Sequence, residues 1–61
     1  MALPLNGHEI RVVAVEGACD PRAVRDYLNG RPQRPTTIVH VERGLRAINR
    51  ADLIRGGRQA A

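Results

Sequence analysis

Arg22, Arg25 and Asp26 recur at the spacing i, i+3, i+4, which places three side chains on one face of a helix. Two guanidinium groups one turn apart offer planar forks of N–H donors, a geometry matched to the paired acceptors of a phosphate, a carboxylate or the edge of a base. Asp26 can accept from a ligand amino group, or orient Arg22 one turn before it. Downstream lie Arg31, Arg34, Thr36 and Thr37, cationic and hydroxyl donors of the type that hold phosphate oxygens. The residues of covalent and metal chemistry are sparse by contrast. His8, Cys19 and His40 are scattered rather than at metal-ligand spacing, no GxxxxGK phosphate loop occurs, and no carboxylate pair is placed for acid–base work. The expectation is a binding protein and not an enzyme, with no metal, no cofactor and no small-molecule ligand.

The element that must position the arginines is the stretch from Asp20 to Gly30. Asp20 suits an N-cap, since its carboxylate can accept from free N–H groups of the first turn. Pro21 fits the first helical position, where its missing N–H costs nothing. Gly30, or Asn29 before it, can take the left-handed conformation that closes the far end, and Pro32 prevents resumption. Val24, Tyr27 and Leu28 form the apolar face. Arg22, Arg25, Asp26 and Asn29 lie opposite, and Asn29 reads as a helix-end cap rather than a base reader.

Composition narrows the partner. Every basic side chain among the 61 residues is Arg, ten in all, and the net charge is +4. Residues 1–20 hold one Arg against Glu9, Glu16 and Asp20, whereas residues 21–61 hold nine against Asp26, Glu42 and Asp52. Such polarity suits a chain that lays one side on a polyanion. With one aromatic residue, Tyr27, the core must be built from Val, Leu, Ile and Ala, and a thin core in so short a chain favours help from a partner or a second copy. The lone Cys19 precludes an internal disulfide and fits a reducing compartment. No run approaches the roughly 18 apolar residues of a membrane span and no signal peptide is visible, so the expected location is cytoplasmic, at the nucleoid.

In chain order, residues 1–7 read as an irregular arm, with Pro4 and Asn6-Gly7 as turn signals and Leu3 and Leu5 packed by the fold. Residues 9–17 read as a helix through Ile10, Val13, Ala14 and Gly17 at i, i+3, i+4, i+7. Val12, Val13 and Val15 would also suit a strand over 10–15, and that alternative stays open at this point. Gly17-Ala18-Cys19 makes a tight link to a second helix over about 20–29. A stiff loop with Pro32 and Pro35 leads to a third over about 35–49, whose Ile38, Val41, Leu45 and Ile48 form an apolar stripe. Gly44 within it marks a close helix contact, and His40, off the stripe, is expected at the surface. Cys19 is expected in the core. A short helix over about 50–55 would end at Gly56-Gly57, with Arg58 to Ala61 fraying. The predicted fold is a small all-α domain of three or four helices with helix-turn-helix order.

From Ile10 to Asn29 the chain resembles the helix-turn-helix of the lac-repressor family, and more loosely phage-repressor (lambda-repressor-like) DNA-binding domains. Val13-Ala14 matches that family's Val-Ala in the first helix, Val24 its buried β-branched residue in the second, and Leu28-Asn29 its hydrophobic-Asn ending. Val41-Glu42, Leu45 and Ile48 resemble its third helix. Ala18 stands where the family usually has Gly, and Pro21 and Asp26 where it often has polar or basic base-contacting residues. No match to its effector domain or hinge helix is present, so ligand responsiveness is not implied.

What the residues and the resemblance jointly imply is a small regulator of transcription, of the stand-alone kind found in phages and mobile elements, binding double-stranded DNA with its second helix in the major groove. Arg22, Arg25 and Asp26 would face bases; Pro21, Arg31, Arg34, Thr36 and Thr37 would meet the backbone. Val12, Val15, Leu53 and Ile54 are the expected surface of a homodimer. The competing expectation is a protein-interaction module, an antirepressor or assembly factor, whose arginine face meets an acidic partner.

Overall fold

Two side chains that clasp each other's backbones start the first helix. In the computed structural model, which describes residues 3–55, the Asn6 side chain accepts from the Glu9 N–H at 2.8 Å and the Glu9 carboxylate accepts from the Asn6 N–H at 2.9 Å. This reciprocal pair satisfies two donors that a helix start leaves unpaired. Helix α1 therefore spans Gly7–Gly17, beginning earlier than the start near residue 9 expected from periodicity. Asn6-Gly7 is not a turn, because Asn6 and Glu9 have capping-box spacing. Residues 10–15 are helical throughout, with Ile10, Val13, Ala14 and Gly17 buried on one face. No strand occurs among the described residues, and a lone extended segment would leave its backbone groups without partners.

Helix α2 spans Pro21–Leu28, with the Asp20 carboxylate accepting from the Arg22 N–H at 2.8 Å. Helix α3 spans Pro35–Ala47 and is followed by a 3₁₀ turn at Ala51–Leu53. The turn replaces the short helix expected over 50–55, and residues 56–61, with the expected stop at 56–57 and the fraying expected over 58–61, lie outside the described residues. The result is a small all-α fold of helix-turn-helix order. Among the described residues no helix is long and apolar enough to cross a membrane.

All three helices close in the same way. Ala18, Gly30 and Asn49 each take a positive φ, of 57°, 80° and 65°. The N–H of each returns to a carbonyl three residues back, and the next N–H returns five back: Cys19 to Ala14 at 2.9 Å, Arg31 to Asp26 at 2.9 Å and Arg50 to Leu45 at 2.8 Å. These are Schellman closures, and they bind carbonyls that a helix end would otherwise leave unsatisfied. Asn49, expected within α3, instead turns the chain out of it. Ala18 performs without glycine's freedom a task for which glycine is the usual residue, at a cost of roughly 1 kcal/mol.

Gly17 is not in the turn because it is needed for packing. A Cβ there would collide with the carbonyl oxygen of His40, and a Cβ on Gly44 would collide with that of Val13. Each helix thus presents a glycine to the other's backbone, and α1 and α3 pack at closest range where the two meet. Around this crossing, Val13, Val24, Val41 and Leu45 are fully buried, and Leu5, Ile10, Ala14, Tyr27 and Ile54 complete the core. Burying each of the larger side chains contributes roughly 1.5–3 kcal/mol.

Two opposite responses to small substitutions follow. Ala18→Gly should raise the free energy of unfolding by about 1 kcal/mol by relieving the left-handed alanine. Gly17→Ala and Gly44→Ala should each lower it by about 2 kcal/mol or more through overpacking, although alanine is the better helix former by about 1 kcal/mol. Urea unfolding followed by circular dichroism measures all three.

Candidate nucleic-acid interface

Helix α2 buries Val24 and Tyr27 and turns Arg22 and Arg25 outward on the opposite face, both exposed. Neither guanidinium pairs with another described residue, so both forks remain open to an acceptor outside the chain. Pro21 is half-buried in the first turn of the helix. Asp26 does not orient Arg22 as expected. Its carboxylate instead lies 3.9 Å from Nε of Arg31, with the two side chains 37% and 71% exposed. A pair so long and so wet contributes little stability, but it draws Arg31 toward the end of α2.

The loop that carries the remaining donors is tied to α2 rather than free. The Arg31 N–H donates to the Asp26 carbonyl at 2.9 Å, and the Gln33 amide donates to the Ala23 carbonyl at 2.7 Å. Oε1 of Gln33 is buried with no partner among the described residues. Arg34, exposed, caps α3 through its backbone alone, and no side chain bonds the first N–H groups of that helix. Thr36 is exposed and Thr37 half-buried in the same first turn. The end of α3 thus combines a guanidinium, two hydroxyls and the positive end of a helix dipole. The expected base-facing and backbone-facing donors therefore lie on the outer face of α2, in the loop after it, and at the start of α3.

Tyr27 fixes the C-terminal segment against this loop. Its hydroxyl donates to Oε2 of Glu42 at 2.8 Å and accepts from the Arg55 N–H at 2.6 Å. The Arg55 guanidinium lies 4.2 Å from the centroid of the Tyr27 ring and donates to the carbonyls of Tyr27 at 2.6 Å and Arg31 at 3.0 Å. Arg55, although exposed, is thus a strap committed to its own chain rather than one of the unpaired arginines. Sequence reasoning missed it, although a lone tyrosine in an aliphatic core must find partners for its hydroxyl.

Three further expectations are corrected. His40 is half-buried rather than a surface residue: its Nδ1 lies 2.8 Å from the Gly17 carbonyl oxygen. A carbonyl only accepts, so Nδ1 carries the proton and His40 bonds the end of α1. Ile54, expected on a dimer surface, is 6% exposed within the core, and Leu53 packs against the same core. Both are occupied by their own chain, because the 3₁₀ turn folds them back onto it. Val12 is half-buried and Val15 is exposed, on the outer side of α1. Cys19 is half-buried against the core; burial, and then the Asp20 charge, push its thiol up, which keeps it protonated and weakly nucleophilic. Among the described residues no group of three or more His, Cys, Asp or Glu could hold a metal ion.

No known protein settles the reading. The chain matches no protein-family model, no curated protein and no solved structure.

Burial pushes the Tyr27 phenol above its ordinary value, the Arg55 N–H pulls it down, and the Glu42 carboxylate pushes it up again. A phenol raised in the folded state contributes stability that is present in full below its unfolded value, about 10, and lost as pH rises through the folded value. With no lysine in the chain, alkaline destabilisation should begin with the Cys19 thiol, whose value is also raised in the fold, above about pH 8.5, and should steepen with Tyr27 above about pH 10. Tyr27→Phe should remove the steeper part above about pH 10 and cost about 1–3 kcal/mol at neutral pH by orphaning its partners. Urea unfolding across alkaline pH, alongside tyrosinate absorbance, measures both effects.

Proposed function

We propose that this chain is a small sequence-specific DNA-binding protein that regulates transcription, with α2 lying in the major groove. The observation that carries the reading is the pair Arg22 and Arg25, one turn apart, exposed and unpaired among the described residues on the outer face of a helix capped at both ends. Arginine is the commonest reader of guanine O6 and N7, and Arg22 lies nearer the end that would enter the groove. Arg25 reads beside it, and Asp26 accepts from a cytosine amino group when Arg31 releases it. Arg31, Arg34, Thr36 and Thr37 hold phosphates while Pro21 packs against the DNA backbone, which supplies affinity and register but not sequence.

Support comes from three further sources. The charge of the chain is concentrated after residue 20, as a polyanion partner requires. The helix order matches the resemblance to lac-repressor-family and phage-repressor helix-turn-helix domains. The loop that holds Arg31 is fastened at three points, to Asp26, Ala23 and Arg55, so its backbone is preorganised and binding need order only the donor side chains. A module of this size covers too little DNA for high specificity, and two copies on a symmetric site would remedy that.

Arg22→Ala should cost about 1–3 kcal/mol on preferred sites and relax base preference at one position. Arg34→Ala should weaken binding to all sequences alike and reduce the salt slope by about one. Fluorescence-anisotropy titrations on selected and scrambled duplexes measure both. If Arg22→Ala changed neither affinity nor preference, α2 would not be the reading helix. If Arg22→Ala and Arg34→Ala instead abolished capture by an acidic protein and left DNA untouched, the arginine face would belong to that partner.

A further inference from the structure

The outer side of α1 is a second surface, distinct in character from the arginine face. Val15 is 76% exposed, and it adjoins Val12. With His8, Arg11 and Glu16 these two valines frame a shallow open depression of about 290 Å³. Arg11 and Glu16 are exposed, and neither is ion-paired with another described residue.

We propose that this surface docks a second copy of the chain, with the two α1 helices side by side and parallel across a two-fold axis. His8, Val12 and Val15 are spaced by four and then three, the seam of a heptad, and Arg11 and Glu16 flank that seam on opposite sides, five residues apart. In a parallel pair each flanking residue meets the opposite flank of the other helix five positions on. Arg11 then faces Glu16 of the second copy, and by symmetry Glu16 faces its Arg11. The two valines of each copy are enclosed between these ion pairs. In an antiparallel pair the same flanks meet each other, Arg11 against Arg11 and Glu16 against Glu16, so charge selects the parallel arrangement. A parallel contact is isologous and closes as a dimer rather than extending into a filament.

Two turns of helix make a small interface, so the dimer is weak, with a dissociation constant in the range of about 10⁻⁵–10⁻³ M. It deepens the DNA-binding reading, but its test uses no DNA, so either can fail alone. Sedimentation equilibrium of the full chain over that concentration range should show a monomer–dimer equilibrium, and Val15→Asp should leave a monomer throughout. Arg11→Glu and Glu16→Arg should each raise the dissociation constant about tenfold or more by turning two attractions into repulsions. The double variant Arg11→Glu/Glu16→Arg should restore it to within about threefold. Circular dichroism of each variant separates loss of pairing from loss of fold, and the charge variants decide the matter if Val15→Asp unfolds. A monomer at every concentration, single charge reversals without effect, or a double variant no better than the singles would overturn the proposal.

Discussion

The contact on which the rest depends is the meeting of α1 and α3 backbone to backbone. Gly17 admits the His40 carbonyl and Gly44 admits the Val13 carbonyl, so no side chain separates the helices at those two points. The His40 ring then bonds the Gly17 carbonyl oxygen at 2.8 Å, holding the end of α1 where the chain turns toward α2. Such closeness compensates for a core with one aromatic residue: the helices approach until valines and leucines fill the space between them. It also dictates the turn. With Gly17 committed to packing, the left-handed position falls to Ala18, which bears the strain so that the crossing can stay tight.

Tyr27 supplies the second tie, and it commits one cation, Arg55, to the chain's own fold. Through its hydroxyl, its ring and its carbonyl it engages Glu42 and Arg55, joining α2 to α3 and to the segment after the 3₁₀ turn. Arg55 extends that tie to the Arg31 carbonyl, while Arg50 is bonded to Asp52 at 3.1 Å. Arg22, Arg25 and Arg34 have no such partners among the described residues. Cations in one chain are thus divided between holding the fold and facing outward; of the outward ones, Arg22, Arg25, Arg31 and Arg34 lie on α2 and the connection to α3, and Arg11, Arg43 and Arg46 on α1 and α3.

Much of this was legible in the sequence because it rests on local rules. Asp20, Pro21 and Gly30 mark α2 by capping chemistry alone, and the stripe Ile38, Val41, Leu45, Ile48 marks α3 by period. Gly44 announced a close contact, since a glycine inside a helix is unfavourable without one. What escaped was set by tertiary contact or by a cue weighed wrongly. Asn6 and Glu9 carried a capping pattern that the Asn-Gly turn signal masked. His40 and Arg55 find their partners 23 and 28 residues away, beyond the reach of any periodicity. The burial of Ile54 has no local signal, because its short segment shows no face of its own and only the 3₁₀ turn folds it inward. Of the candidate interface, the outward arginines of α2 were legible from spacing. The attachment of Asp26 to Arg31 rather than Arg22 was not, because it depends on how the loop returns.

The most direct test of the central claim is the salt dependence of binding to a mixed-sequence DNA duplex. Binding should tighten as salt falls, with a log–log slope of about −0.9 for each phosphate neutralised, and each copy is expected to supply such contacts from Arg31 and Arg34. No binding even at low salt would contradict the account and would assign the arginine face to a protein partner.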